Sequence, residues 1–116
     1  MLRIICKSKI SGVYVTEAQI HYEGSITIDE ELLKAVDILP GEKVEVLNLS
    51  NGSRIETYAI AGKKGSGEIC LNGAAALSGK IGDELIILAY CFAEDKEAKN
   101  IKIKLVKVNQ KNKISG

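Results

Sequence analysis

Apolar and polar residues alternate with a period of two along most of this chain, the pattern of strands that bury one face. Residues 10–16 place Val13 and Val15 on one side and predict a first strand. Residues 21–28 read as extended chain interrupted at Gly24-Ser25. Residues 43–49 alternate, and residues 54–60 answer them across Asn51-Gly52, the strongest short hairpin signal in the chain. Residues 68–71 predict a short strand, which Asn72-Gly73 turns into the small-residue run Ala74-Ala75-Ala76. Residues 83–90 are nearly continuously apolar and predict a buried strand. Lysines alternate with Ile, Leu and Val over 101–108, which predicts a half-exposed one.

Helical signals are short. Asp29 is a good N-cap, Glu30 and Glu31 suit the positive end of a helix dipole, and Leu32, Leu33 and Val36 share a face. These predict a helix to about residue 36, ended by the Pro40-Gly41 turn. Residues 17–20 and 93–98 each read as a helical turn, and residues 61–67, with three glycines, as a loop. The expected organisation is one mainly β domain over residues 1–108 and a loose polar tail over 109–116.

One internal echo refines the fold. Gly41-Glu42-Lys43-Val44-Glu45-Val46 is matched 41 residues later by Gly82-Asp83-Glu84-Leu85-Ile86-Ile87. Each is a Gly-acid turn that launches an apolar strand. A repeated turn-strand unit in a β chain points to a closed barrel with pseudo-twofold symmetry, and these paired starts look like those of double-psi β-barrels.

Composition narrows the class. The chain has 116 residues, 46% of them hydrophobic but only 4% aromatic, so its core is aliphatic and small enough to gain from oligomerisation. A net charge of +1 argues against nucleic-acid and membrane-surface partners. No apolar run is long enough to span a membrane, and the N-terminal residues do not read as a signal peptide. Cys6, Cys70 and Cys91 are scattered and odd in number, which fits a reducing cytoplasm and neither a disulfide framework nor a zinc site.

The candidate chemistry begins at Gly24-Ser25. Such a pair is usually an ordinary turn, but glycine tolerates strained backbone, and a strained Gly-Ser bond can undergo an N→O acyl shift. Elimination from the resulting ester and hydration would leave a pyruvoyl group at residue 25. Arg54 and Tyr58, four apart on one strand, share a face that offers a guanidinium for a carboxylate and a phenol as proton donor, or else are simply surface residues. Lys9 is a further cation near a strand start. Residues 62–67 lack the full phosphate-loop pattern, and the sole histidine, His21, offers no metal site or triad.

Taken together, Tyr22-Glu23-Gly24-Ser25, Asn51-Gly52 before Arg54, Thr57-Tyr58 and Asn72-Gly73-Ala74-Ala75-Ala76 resemble the aspartate 1-decarboxylase family, pyruvoyl-dependent enzymes that make β-alanine. Lys9, Val13, Val15-Thr16 and Gly82-Asp83 match as well. The chain departs where the family usually has a His-Arg pair and it has Ser11-Gly12. The resemblance implies a double-psi β-barrel, a homotetramer with active sites between subunits, and self-cleavage between Gly24 and Ser25. Ser25 becomes the pyruvoyl cofactor, with Thr57 hydrogen bonding at the Gly24 carbonyl during the acyl shift. The cofactor forms an imine with L-aspartate and accepts the electrons left when CO2 departs. Arg54, assisted by Lys9, binds the remaining carboxylate, and Tyr58 protonates the carbanion. Thr57, Asn72, Gly73, Ala74 and Ala75 line the pocket, and β-alanine supplies pantothenate synthesis. Strict alternation sets Thr57 on the opposite face from Arg54 and Tyr58, which this arrangement must reconcile. The rival readings are a non-catalytic β-barrel interaction module with an intact Gly24-Ser25 bond and a pyruvoyl decarboxylase for another amino acid.

Overall fold

β-Branched and leucine side chains dominate the alternating segments, and they favour a pleated, half-buried backbone. A computed structural model describes residues 1–115 and turns these segments into eight strands. They are β1 (Leu2–Tyr14), β2 (Glu17–Gln19), β3 (Ser25–Asp29), β4 (Lys43–Asn48), β5 (Arg54–Gly62), β6 (Ile69–Asn72), β7 (Glu84–Glu94) and β8 (Lys104–Lys107). Helix α1 (Glu30–Ala35) follows β3, with the Asp29 carboxylate accepting from the Glu31 N–H as its cap. The small-residue run becomes a 3-10 helix over Gly73–Ser78, and α2 (Asp95–Ala98) is a single turn.

The strand order is β2-β6-β3-β5-β4-β7-β1-β8. β1 runs almost directly into β2, at the far end of that order, so the two form one bent strand; the sheet closes into a six-membered ring, with β8 added beside β1. Backbone bonds carry the bend across: Val15 N–H donates to the Asp83 carbonyl on one side, and Thr16 N–H to that of Ile69 on the other. The ring is pseudo-symmetric. Exchanging β1/β2, β3 and β4 for β5, β6 and β7 maps its antiparallel pairs onto antiparallel pairs, and the parallel β2·β6 pair onto the parallel β3·β5 pair. Val46 pairs with Ile87, its echo, so the axis passes between them. The two Gly-acid turns match in detail. Gly41 and Gly82 have φ of +90° and +93°. The acid after each glycine accepts from the N–H three residues before it, Glu42 from Leu39 and Asp83 from Lys80. Crossed parallel pairs related by a pseudo-twofold make this a double-psi β-barrel.

Ile10, Val13, Ile26, Ile28, Val44, Val46, Leu71, Leu85 and Ile87 fill the barrel, and α1 adds Leu32 and Leu33. Four expectations change. Residues 17–19 are strand rather than a helical turn, because they pair in parallel with β6. The first strand starts at Leu2, eight residues before the expected position, and β7 runs on to Glu94 to pair with it. β8 is confined to Lys104–Lys107. The C-terminal segment is anchored: Asn112, 2% exposed, donates to the carbonyls of Tyr14 and Gly67 and accepts from the Tyr14 N–H. Its φ of +58° suits an asparagine. Gly116 lies outside the described residues.

Candidate active site

β3 opens at Ser25, and its antiparallel register with β6 sets Ser25 opposite Asn72. Both are buried, at 0% and 2% exposure. The Ser25 hydroxyl donates to the Glu23 carbonyl at 2.9 Å and accepts from Asn72 Nδ2 at 3.1 Å. The same amide nitrogen donates to Thr27 Oγ1 at 2.9 Å, and Asn72 Oδ1 accepts from the Cys70 thiol at 3.1 Å. The asparagine amide is therefore held on both sides, and among the described residues one lone pair of the serine oxygen stays unclaimed. Burial, reinforced by Glu17 and Glu68, pushes Cys70 up to about 11, so it remains a protonated donor.

Gly73 brings the preceding segment onto this network. Its φ is +61°, and a Cβ there would lie 2.7 Å from the Tyr22 carbonyl oxygen and 2.8 Å from Gly24 N and Cα. Only glycine permits that contact. Gly24 itself is different from expectation. It is not among the positive-φ glycines, and nothing lies within 4 Å of a Cβ built on it. The crowding is carried by Gly73, and the φ of Gly24 holds no left-handed strain.

A cleft of about 480 Å³ opens beside Gly24 and is lined by Thr57, Tyr58, Ala74 and Ala75 among others. Ile26 pairs with Ala59 in the parallel β3·β5 ladder. Continuing that register by two residues sets Gly24 beside Thr57. β5 thus runs past the start of β3, where both of its faces border one opening. Alternation still points Thr57 and Tyr58 in opposite directions, yet both line the cleft.

Arg54 and Lys9 lie elsewhere, on the outer face of the sheet. Lys9 pairs with Leu88, Leu88 with Glu45, and Glu45 with Glu56. The next rung of the same face holds Ser11, Ile86, Leu47 and Arg54. Ser11, where the sequence departs from the family pattern, therefore stands in the same row as Arg54, and Gly12 sits at a β-bulge with φ of +78°. The Arg54 guanidinium binds Glu45 at 2.7 Å. Within one chain, the structure brings Ser25, Asn72, Gly73, Thr57, Tyr58, Ala74 and Ala75 together around Gly24; Arg54 shares the strand face of Glu56 and Tyr58, but neither Arg54 nor Lys9 lines that cleft.

A family model described as aspartate decarboxylase matches residues 1–115. The chain belongs to the aspartate decarboxylase family. It is an enzyme, a carboxy-lyase, and the non-catalytic module is set aside. The aspartate 1-decarboxylase of Thermoanaerobacter pseudethanolicus is 53% identical over 113 residues, covering 97% of each chain. That of Carboxydothermus hydrogenoformans is 56% identical, covering 98% of this chain and 90% of the relative. That of Listeria monocytogenes is 52% identical over the same shares. No helix among the decarboxylase's described residues is long and apolar enough to cross a membrane.

Three contributors were not anticipated: the Glu23 carbonyl, Thr27 and Cys70. Ser25 and Thr27, two apart on a strand, do share a face in the sequence pattern. Their meeting with Asn72 depends on the β3·β6 register, which no local pattern contains.

Proposed function

We propose that this chain decarboxylates L-aspartate to β-alanine and CO2 with a pyruvoyl group made from its own Ser25, and that β-alanine feeds pantothenate synthesis in the cytoplasm. The observation that carries the reading is the buried Ser25 hydroxyl, held by the Glu23 carbonyl and Asn72 beside the Gly24 peptide. In maturation, Ser25 Oγ attacks the Gly24 carbonyl carbon, the amide C–N bond breaks, and the proton moves to the freed amine. Thr57, lining the same cleft, would take the charge that develops on the carbonyl oxygen. Elimination then releases the Gly24 carboxylate, and hydration with loss of ammonia completes the group.

The residues present fit that group. Asn72 and Thr27 surround the site with donors and hydroxyls, Gly73 admits the Gly24 backbone, and the small Ala74 and Ala75 side chains leave room for a substrate. The pyruvoyl carbonyl supplies the electron sink that decarboxylation of an α-amino acid requires. Tyr58 holds the proton that replaces CO2. A phenol that lines the cleft is a suitable general acid. Arg54, assisted by Lys9, selects the second carboxylate. Because neither lines the Gly24 cleft of its own chain, we assign them to the site of a neighbouring copy in a homotetramer. The Ile86, Leu88 and Leu47 side chains between the two cations give that face an apolar centre to bury.

An intact mass spectrum tests maturation. The expected result is a fragment of residues 1–24 and a fragment of residues 25–116 that is lighter by one ammonia than a serine-ended chain. A single uncleaved chain after prolonged warming would overturn the reading. Light scattering that gives a monomer at micromolar concentration would overturn the shared site.

A further inference from the structure

We propose that Glu45 and Tyr90 are positioning residues for Arg54, holding its guanidinium by one nitrogen so that the opposite edge can seat the substrate's side-chain carboxylate. The inference rests on the assignment of Arg54 to that carboxylate. Glu45 Oε1 accepts from Arg54 Nη1 at 2.7 Å and from the Tyr90 hydroxyl at 2.7 Å. The Glu45 side chain is only 19% exposed, against 57% for Arg54. It is thus the more enclosed partner, held on its oxygen by Tyr90 as well. Glu56, opposite Glu45 in the β4·β5 ladder, is engaged by Lys43 at 2.6 Å and does not compete for the guanidinium. Among the described residues no side chain takes Arg54 Nε or Nη2. Those two donors form the edge that grips a carboxylate bidentately. The Tyr90 phenol is raised above its ordinary value, first by its hydrogen bond to Glu45 and then by burial, so it stays a donor. With both hydrogen bonds on one oxygen, Glu45 cannot swing away with the arginine. Leu88 stands between Glu45 and Lys9 in one row, so the two cations keep a fixed spacing across the sheet.

The test uses the processed enzyme, with L-aspartate kinetics and calorimetric binding of succinate, a dicarboxylate that has no amine to react. Glu45→Gln should raise KM about five- to tenfold, the scale of exchanging a charge-assisted hydrogen bond for a neutral one, with a much smaller fall in kcat. Succinate binding should weaken in parallel. Tyr90→Phe removes one hydroxyl and should give about a two- to threefold change in the same direction; it remains informative if Glu45→Gln fails to fold. Glu45→Gln added to Arg54→Ala should weaken succinate no further, an outcome that a merely structural role for Glu45 would not give. If Arg54→Ala weakens succinate while neither Glu45→Gln nor Tyr90→Phe does, the positioning inference is overturned and the role of Arg54 stands. Tighter succinate binding by Glu45→Gln would make Glu45 a competitor, and would also overturn it. Parent-like binding by Arg54→Ala would instead remove the reading on which the inference rests.

Discussion

The surroundings of Ser25 and of Arg54 are built on opposite principles. Ser25 is buried at a strand end, with its hydroxyl bonded to a backbone carbonyl and to an asparagine that is itself held on both sides. Arg54 is exposed on a sheet face, tied to one carboxylate that water can partly reach. A bond that must break without a catalyst other than the fold needs groups fixed in advance, and burial fixes them. A group that must capture a small anion needs access, and the ion pair that aims it is weak enough to adjust. On the proposed reading, the chain prepares the Gly24-Ser25 bond alone and leaves Arg54 and Lys9 facing outward.

The largest effect should come from the buried side. Ser25→Ala removes the hydroxyl that donates to the Glu23 carbonyl and should abolish cleavage, with a mass spectrum showing intact chain and an unchanged circular dichroism spectrum. Cleavage in this variant would mean that the buried network is not the reacting one. Tyr58→Phe comes next. It should leave the chain processed but slow turnover by about 10²–10⁴-fold, the usual scale for a lost general acid. Parent-like turnover by a fully processed variant would make Tyr58 a packing residue of the cleft.

Gly73→Ala sharpens the comparison from the backbone. An added Cβ meets Tyr22 O and Gly24 at under 3 Å from a positive φ, so the variant should lose about 1–3 kcal/mol in thermal or denaturant unfolding. Processing should slow as well, because the segment that must yield bears the Gly24-Ser25 peptide, the proposed cleavage point. Arg54→Ala, by contrast, should leave unfolding within about 0.5 kcal/mol of the parent, as a surface change does.

The smallest effect concerns pH and lies outside both regions. The Asn48 side chain, with the Lys80 N–H, holds the Asp83 carboxyl below its ordinary value of 3.8. The folded chain keeps Asp83 ionised at pH values where the unfolded chain takes up its proton. That contribution is complete above pH 3.8 and is lost as pH falls through the lower folded value. Asp83→Asn should therefore flatten the decline of melting temperature below pH 3.8. An equal slope in both proteins would assign acid sensitivity to other carboxylates.

Much of the barrel was legible along the chain. The hairpin at Asn51-Gly52, the Asp29 cap and the Gly-acid echo are local or periodic features, and each appears where its residues place it. Residues 17–19 were not legible. Three exposed positions carry no periodicity, and only the edge of β6 makes them strand. The C-terminal segment misled for a similar reason, since its polar composition conceals one asparagine that satisfies three backbone groups in the barrel wall.

At the site, the sequence by itself determined which residue types are present and which face of its strand each one occupies, because a period of two is a property of the chain. It placed Gly24 before Ser25 and Arg54 four residues before Tyr58. Only the tertiary structure decided what each one meets. Ser25 finds Asn72 across 47 residues because two strands adopt one register among many. Thr57 and Tyr58 share a cleft because β5 outruns β3. Arg54 turns to Glu45 because the hairpin and the β4·β7 ladder bring Glu45 and Tyr90 to one side of it. Register depends on the summed burial of many side chains, so it belongs to the whole barrel and to no single segment of the chain.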